Sequence, residues 1–259
     1  MCGIAGISFA PGHESDEIEG ALNKNNLRPT LMATRDAIVH RGPDDSGLYI
    51  DDSFGVGLVH TRLSILEVSR LGHQPMISDN GQVVLVFNGE IYNFRELRAG
   101  LKEKGYSFCG HSDTEVLLKL YLAQSNSVDG LSEMLRSLNG IFAFALWDSR
   151  NGTLLLARDG LGVKPLYYAA SAKQFVFASE IKALLPLFPS SCELDVMSLH
   201  RYLGFLWCPG DGTPIKSVRK LEPGQAMLVK QGRIERHWSW YRLPGFNTTR
   251  LKLDESDSV

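Results

Sequence analysis

Short apolar runs cut by glycine and polar clusters dominate the pattern along the chain. CGIAGISF (2–9) alternates small and apolar residues, as a strand does. FGVGLVH (Phe54–His60) is a strand pattern relieved by glycine, which predicts close approach of another backbone. QVVLVF (Gln82–Phe87) is apolar without alternation, the mark of a strand buried on both faces. IFAFALW (Ile141–Trp147) and TLLLAR (Thr153–Arg158) flank Asp148-Ser149-Arg150-Asn151-Gly152, where Asn-Gly predicts the φ > 0 positions of a tight hairpin turn. PLYYAA (Pro165–Ala170) and QFVFAS (Gln174–Ser179) predict a second pair around Ser171–Lys173. AMLVKQGRIERHW (Ala226–Trp238) predicts a third, turning at Gln231-Gly232.

Helical patterns fall between these runs. Asn93-Phe94-Arg95-Glu96 predicts a capping box, with Glu96 reaching back to the cap, Leu97 and Leu101 on one apolar face and Gly105 as the stop. Ser112-Asp113-Thr114-Glu115 predicts a second capping box, for a helix that buries Val116, Leu117, Leu120 and Tyr121. EIKALLPLF (Glu180–Phe188) reads as helical up to its prolines, and a further helix falls near Val196–Leu206. The polar stretch Glu14–Thr30 predicts a surface helix with a loop. There is no internal repeat. Strands in hairpins with a few grouped helices predict an α+β fold with mostly antiparallel sheets.

Composition narrows the class. A chain of 259 residues, 44% hydrophobic and 22% charged, suits one large globular domain or two small ones. A formal net charge of -2 argues against a nucleic-acid partner, which normally meets a basic stripe. The N-terminus lacks a basic segment followed by an apolar run, and Ile141–Trp147 is far too short to span a bilayer, so the expected address is the cytoplasm with no membrane partner. There the sequon Asn247-Thr248-Thr249 has little meaning. Only the last stretch, 246–259, has the composition of a disordered segment. Cys2, Cys109, Cys192 and Cys208 form no CxxC pair, which speaks against a zinc ribbon and a dithiol motif. His40, His60, His73 and His111, with Cys109, match no common zinc spacing, so no metal site is expected.

The position of Cys2 raises a chemical question. A small residue there lets an aminopeptidase remove Met1, leaving a thiol and a free α-amine on one residue. The ordinary pKa of the amine is about 7.7–8.0 and that of the thiol about 8.5, so the pair can serve as nucleophile and base. From position alone, Cys2 equally reads as a small buried hydrophobe at the head of a strand. Four polar stretches placed where strands end bear on the choice: HRGPDDSG (His40–Gly47), HTRLSI (His60–Ile65), NGEIYN (Asn88–Asn93) and GHSDTE (Gly110–Glu115). Each alone admits a plainer reading. Asn-Gly is commonly just a turn, and Arg62 with Asp113 makes an ordinary ion pair.

Taken together, MCGIAGI, HRGPDDSG, RLSI, NGEIYN and SDTE, in this order, resemble the class II glutamine amidotransferase domain of asparagine synthetase, over residues 2–238. The resemblance implies an N-terminal-nucleophile hydrolase fold, an αββα sandwich, and hydrolysis of glutamine to glutamate and ammonia. On matching residues it implies Cys2 as nucleophile, Asn88 and Gly89 as oxyanion hole, and Arg62 as the grip on the substrate α-carboxylate. Glu90 and Asp113 would hold the α-ammonium, and Leu63 and Ile65 would line the pocket, partly through backbone groups. The chemistry agrees. A side-chain amide and a glycine N–H are neutral donors suited to a developing oxyanion. Gly89, without a Cβ, admits close approach of substrate. A planar guanidinium matches a carboxylate, and a helix N-terminus favours a charged Asp113. His40, beside Arg41, is expected in the pocket wall.

RDGLGVKPLYY (Arg158–Tyr168), FASEIKALL (Phe177–Leu185) and RKLEPGQ (Arg219–Gln225) resemble asparagine synthetase more than other class II glutaminases, and look like the parts that face its synthetase domain. Residues 239–259 are expected to form a linker or tail towards that domain, for neither an SGGxDSS stretch nor a GxxxxGK[ST] loop occurs in the chain. The resemblance thus implies no cofactor in this chain, with ATP and Mg needed only by a synthetase (ATP pyrophosphatase) domain in cis or in trans. It implies glutamine as substrate and allows a homodimer. Two alternatives stay open: an amidotransferase subunit for a different acceptor, and a non-catalytic glutamine-binding or assembly subunit.

Overall fold

A computed structural model describes residues 1–11, 26–65, 67–124, 127–188 and 193–244. In chain order its elements are β1 (Gly3–Phe9), α1 (Leu27–Ala37), β2 (Asp45–Asp51), β3 (Val56–Arg62), β4 (Met76–Ile77), β5 (Val83–Ile91), α2 (Phe94–Glu103), α3 (Asp113–Leu122), α4 (Val128–Ser137), β6 (Gly140–Asp148), β7 (Thr153–Arg158), β8 (Tyr167–Ala170), β9 (Gln174–Ala178), α5 (Ile181–Leu184), α6 (Val196–Phe205), β10 (Val218–Lys220), β11 (Gln225–Lys230) and β12 (Arg233–Ser239). Two six-stranded sheets form, in the orders β10-β8-β9-β1-β3-β2 and β12-β11-β7-β6-β5-β4. All pairings between these strands are antiparallel. No helix among the described residues is long and apolar enough to cross a membrane.

Three apolar cores fix the order of layers. The first packs α2, α3 and α4 onto the second sheet, with Leu101, Val116, Leu117 and Leu135 against Val83, Leu85 and Phe87 of β5. The second lies between the sheets and holds Ile4, Val56, Leu58, Val84, Val86 and Leu156. The third packs α1 and α5 onto the first sheet, with Leu31, Ala183 and Leu184 against Ile7, Val59 and Val176. The result is the αββα sandwich that the resemblance implies. The unbroken apolar run of β5 now has its reason. Its odd residues face the helices and its even ones face the other sheet, and each such buried side chain stabilises the fold by about 1.5–3 kcal/mol.

Local signals hold where one physical cause dominates. Gly105 stops α2 at φ 88°, and Gln231 and Gly232 turn the last hairpin at φ 49° and 66°. Val116, Leu117, Leu120 and Tyr121 are buried in α3 as expected. Other signals are redirected. Asn93 does not cap α2; its Nδ2 donates to the Ser137 carbonyl at 2.9 Å and its Oδ1 accepts from the Asn139 amide at 2.9 Å. Of the Asn151-Gly152 pair only Gly152 has positive φ, because the Asp148 carboxylate organises a longer loop. The strand expected over Phe54–His60 begins at Val56, and a side chain on its Gly57 would meet Leu31 of α1 rather than another backbone. Strand β2, with no buried residue, and helices α1 and α4 have no counterpart in the expectations above.

The stretches expected to face a second domain bury Leu166, Phe177, Ala183 and Leu184 inside this one. They also expose Leu161, Val163 and Leu185, and further exposed apolar side chains gather along α6 and just beyond it, at Val196, Met197, Leu203, Phe205, Leu206 and Trp207. Packing also continues past Trp238, because Trp240 is buried and its Nε1 donates to the Arg158 carbonyl at 3.2 Å. Most of the expected linker, the sequon, most of Glu14–Thr30 and Cys192 lie outside the described residues.

Candidate active site

Strand alternation brings three rows of side chains into the layer between the sheets. On β3 the row is Val56, Leu58, His60, Arg62. On β5 it is Val84, Val86, Asn88. Ahead of β1, Cys2 extends the row of Ile4. The inner members of each row are apolar and fill the inter-sheet core; the polar members come at one end, and there the core opens into a cleft. The register sets Ile4 opposite His60 and Gly3 opposite Thr61, which leaves Cys2 beside Arg62. The cleft is lined by Cys2, Arg62, Leu63, Ile65, Asn88, Gly89, Glu90 and Asp113, together with Met1, Glu67, Gly72, Gln74, Phe87, Ser112, Thr114 and Lys164. All eight residues whose roles the resemblance implies therefore meet in one place.

Cys2 Sγ lies 3.5 Å from the Leu63 amide, which donates to it, and 3.7 Å from the Leu63 carbonyl, which accepts from the thiol. Burial pushes the thiol pKa up, while the Leu63 amide, the N-terminal amine, Arg62 and Lys164 act against that rise. Behind Cys2, Arg41 Nε donates to the Cys2 carbonyl at 2.9 Å and its Nη1 donates to Glu180 Oε1 at 2.9 Å. His40 Nε2 meets the same oxygen at 2.9 Å, and Lys182 Nζ lies 3.3 Å from the other. Burial would raise the Glu180 carboxyl, but its hydrogen bonds from Arg41, His40 and Lys182 bring it down to about 2. His40 thus stands behind Cys2, on Glu180, and not in the cleft wall.

Asn88 is wholly buried, and neither its Oδ1 nor its Nδ2 has a partner among the described residues. Leaving such a group unpaired costs about 1–3 kcal/mol, so a buried orphan amide at the end of a cleft points to a ligand that completes it. Gly89 follows. Along β5 the amide of Phe87 donates to Gln74 Oε1 at 2.7 Å and that of Ile91 to Asp113 Oδ2 at 3.0 Å. Alternate N–H groups of a strand share an edge, so the Gly89 N–H emerges between these two. On that edge β4 pairs only with Val84 and Leu85, leaving no strand opposite Gly89. The absent Cβ serves a different purpose from the one expected: it would strike Ile141 and Phe142 of β6, so glycine is needed to seat β5 on its neighbour.

Arg62 is buried, with Nη1 donating to the Ser69 carbonyl at 3.1 Å and Gly72 packed against Nη2. The guanidinium borders the cleft and forms no ion pair with Asp113. Asp113 opens α3, and its oxygens accept from the amides of Ile91 and, at 2.8 Å, Thr114. Burial pushes its carboxyl up, against the Ile91 and Thr114 amides, so the helix N-terminus does not decide its charge as expected. Ser112 caps α3 as predicted, accepting from the Glu115 amide at 3.2 Å. Glu115 does not reach back to Ser112; it accepts from the amides of Cys109 at 2.7 Å and Gly110 at 2.8 Å.

Glu67, Gln74 and Lys164 had not been singled out. Gln74 carries no motif signal, whereas Lys164 lies within the VKPLYY stretch that resembles a domain-facing surface. Three of the four histidines considered for a metal have separate partners: Glu180 for His40, the Phe87 carbonyl for His60 and Asp45 for His73. Among the described residues no group of three or more His, Cys, Asp or Glu is placed to hold a metal ion.

The chain is 38% identical over 217 residues to glutamine-hydrolyzing asparagine synthetase 1 of Bacillus subtilis, a match covering 82% of this chain and 33% of that protein. It is 35% identical over 241 residues to amidase chry2 of Gibberella zeae, covering 93% of this chain and 34% of that one. It therefore spans about a third of the length of these curated relatives. The solved structure of glutamine phosphoribosylpyrophosphate amidotransferase from B. subtilis shares the fold, with a TM-score of 0.63 at 20% identity over 93% of this chain and 49% of that one. The family model for a glutamine amidotransferase domain matches residues 1–241. That span takes in every strand and helix described above, Cys2 ahead of β1 included, and the chain belongs to the glutamine amidotransferase domain family.

Proposed function

We propose that the chain is a glutaminase that supplies ammonia to an amidation reaction carried out by a further domain or a partner. Removal of Met1, which is 56% exposed at the cleft, frees the α-amine of Cys2. The amine takes the thiol proton as Sγ attacks the side-chain carbonyl carbon of glutamine. The resulting oxyanion is met by Asn88 Nδ2 and the Gly89 N–H, donors that have no partner in the fold. The amine returns the proton to the leaving nitrogen, ammonia departs, and water hydrolyses the thioester to glutamate. Arg62 holds the substrate α-carboxylate, and Glu90 and Asp113 hold its α-ammonium, with Leu63 and Ile65 along the side. The unpartnered amide of Asn88, buried at the cleft beside Cys2, carries this reading.

Asparagine synthetase relatives support aspartate as the acceptor, activated by ATP and Mg at a synthetase half joined in cis or in trans. The test begins with the mass of the purified chain, which should lack Met1. The protein should then release glutamate from glutamine without ATP, and Cys2→Ala should abolish this while Cys109→Ala and Cys208→Ala do not. Incubated alone with aspartate, Mg-ATP and glutamine, it should form neither AMP nor asparagine. Retained Met1 with no glutaminase activity would favour a non-catalytic glutamine-binding subunit. Activity that survives Cys2→Ala would overturn the mechanism.

A further inference from the structure

The turn joining β7 to β8 is more heavily cross-linked than a connection of its length needs. The buried carboxylate of Asp159 accepts from the amides of Leu161 at 3.1 Å, Val163 at 3.0 Å, Lys164 at 3.0 Å and Phe142 at 3.3 Å. Arg158 embraces the same turn from the other side. Its Nε donates to the Lys164 carbonyl at 2.7 Å, Nη2 to Gly162 at 2.6 Å and Nη1 to Leu221 at 2.6 Å. What this frame presents is Lys164, only 9% exposed and placed in the wall of the Cys2 cleft.

Lys164 differs from the other buried lysine. Lys119 is neutralised by Asp79, with Nζ 2.5 Å from Oδ2. The Lys164 ammonium has no hydrogen-bond or ion-pair partner among the described residues. The stem of Lys164 is buried while its ammonium reaches the cleft without a counter-ion, so the purpose of a rigid frame that holds it there lies at the cleft. The charged groups around Cys2 supply it. Arg62 comes from β3, the N-terminal amine is carried by Met1 next to Cys2, and Arg41 binds the Cys2 carbonyl with its charge answered by Glu180. Glu67, Glu90 and Asp113 line the same cleft. The charges that act most on the thiol are nonetheless the amine, Arg62 and Lys164, all positive. In the proposed reaction Arg62 is answered by the substrate carboxylate once glutamine binds, and then Lys164 is the fixed cation that remains.

We propose that Lys164 is a positioning residue for the nucleophile, an unpaired ammonium held against the cleft that favours loss of the Cys2 proton as Sγ attacks. It acts as a fixed charge through Cys2 and does not grip glutamine. Its part in turnover rests on the glutaminase reading, but its effect on the thiol does not, and the experiment separates the two. The full chain would be alkylated with iodoacetamide over a range of pH, with modification of the N-terminal peptide followed by mass spectrometry. Lys164→Met should move the midpoint of Cys2 alkylation up by roughly one pH unit, a tenfold slower reaction below the midpoint, as for loss of one nearby opposite charge. Lys164→Arg should keep the parental midpoint. If methionine prevents folding, as judged by circular dichroism, Lys164→Gln carries the same expectation.

Coincident midpoints for the charged and neutral variants would overturn the proposal, and so would a neutral variant that only raises KM for glutamine. A shifted midpoint in a chain that hydrolyses no glutamine would keep the role of Lys164 and remove the glutaminase reading. An unmoved midpoint in an active glutaminase would do the reverse.

Discussion

The ladder between β5 and β6 has two polar ends, and they behave in opposite ways. At one end Val83 pairs with Asp148, and nearer the other Asn88 pairs with Ala143. Asp148 and Asn88 are both wholly buried. The Asp148 carboxylate is saturated. Oδ2 accepts from Tyr121 Oη at 3.0 Å, Arg150 Nη2 at 2.7 Å and Asn151 Nδ2 at 3.2 Å, and Oδ1 accepts from the Arg150 amide at 3.0 Å and its Nε at 2.9 Å. Burial would raise its pKa, but hydrogen bonds from Arg150 and Tyr121 bring the balance below the ordinary value. Asn88 has none of this. Both residues give up water on folding, and only Asp148 recovers the loss inside the protein. A saturated buried cluster is a part of the fold; an unsaturated one at a cleft is a part of the fold waiting for a ligand.

Exchanging the two residues for alanine tests this difference and should give the largest effects. Asn88→Ala should lower kcat for glutamine by roughly 10²–10³-fold, the usual loss for one oxyanion donor. It should change stability by less than about 1 kcal/mol, because the amide removed had no partner. Asp148→Ala should do the opposite. Stripping the partner from Arg150 and Tyr121 should destabilise by about 3 kcal/mol, the low end for a broken buried pair because Arg150 is partly exposed. Turnover per folded molecule should stay near the parental value. Denaturant midpoints and steady-state kinetics on the same samples decide. Equal destabilisation by the two changes would erase the distinction.

The two ends were not equally legible in the sequence. NGEIYN and RLSI announce the cleft because a polar cluster straight after an apolar run is conspicuous, and the period of two then places Arg62 and Asn88 on the same face as the core valines. The β5 run was legible for the same reason, since burial on both faces leaves no polar position to interpret. Asp148 read only as one residue of a turn. Its work depends on Tyr121, a contact from another element that no local pattern reports. Lys164 was hidden for a related reason: its meaning lies in having no counter-ion, which only a structure can show. The Asn93 capping signal failed because Ser137 and Asn139 compete for the same side chain. Strand β2 was missed because an edge strand with no buried residue reads as polar loop.

His60 stands between the two extremes and adds a pH test. Its Nε2 meets the Phe87 carbonyl at 3.1 Å, while its Nδ1 is buried and unpaired. Burial brings its pKa down from 6.5 to about 3. The folded chain thus keeps His60 neutral where the unfolded chain takes up a proton. Its contribution is complete above pH 6.5 and is lost as the pH falls towards about 3, at up to about 1.4 kcal/mol per pH unit. The depressed carboxyl of Glu180 has the same sign, but its contribution disappears only between 4.5 and about 2. Urea unfolding from pH 6.5 down to 4.5 therefore reads the histidines clear of Glu180, while Asp113, raised by burial, adds a slope of opposite sign that a change at His60 leaves in place. His60→Gln should flatten the dependence of stability on pH across that window. His237, also lowered by burial, adds a slope of the same sign that this variant leaves in place. An unchanged slope in His60→Gln would mean that His60 is not held neutral by its surroundings.

The smallest expected effect falls where structural and functional polar groups meet. Ser112 lines the cleft, yet its hydroxyl is committed to capping α3 by accepting from the Glu115 amide. By the reasoning that separates Asp148 from Asn88, a side chain with its partner inside the fold belongs to the structure, even when it borders the site. Ser112→Ala should then cost about 1 kcal/mol and lower the melting temperature by roughly 2–4 °C for a domain of this size. Asp113 is the first residue of the helix that Ser112 caps, and its carboxylate is tied to the Ile91 and Thr114 amides. Fraying of that first turn should therefore reach glutamine as a weaker grip: a few-fold rise in KM, with kcat little changed. Ser112→Thr keeps an acceptor at the cap and should restore both values. A fall in kcat without a fall in melting temperature would place Ser112 with Asn88, and the rule that internal satisfaction marks a structural residue would fail in the wall of the Cys2 cleft.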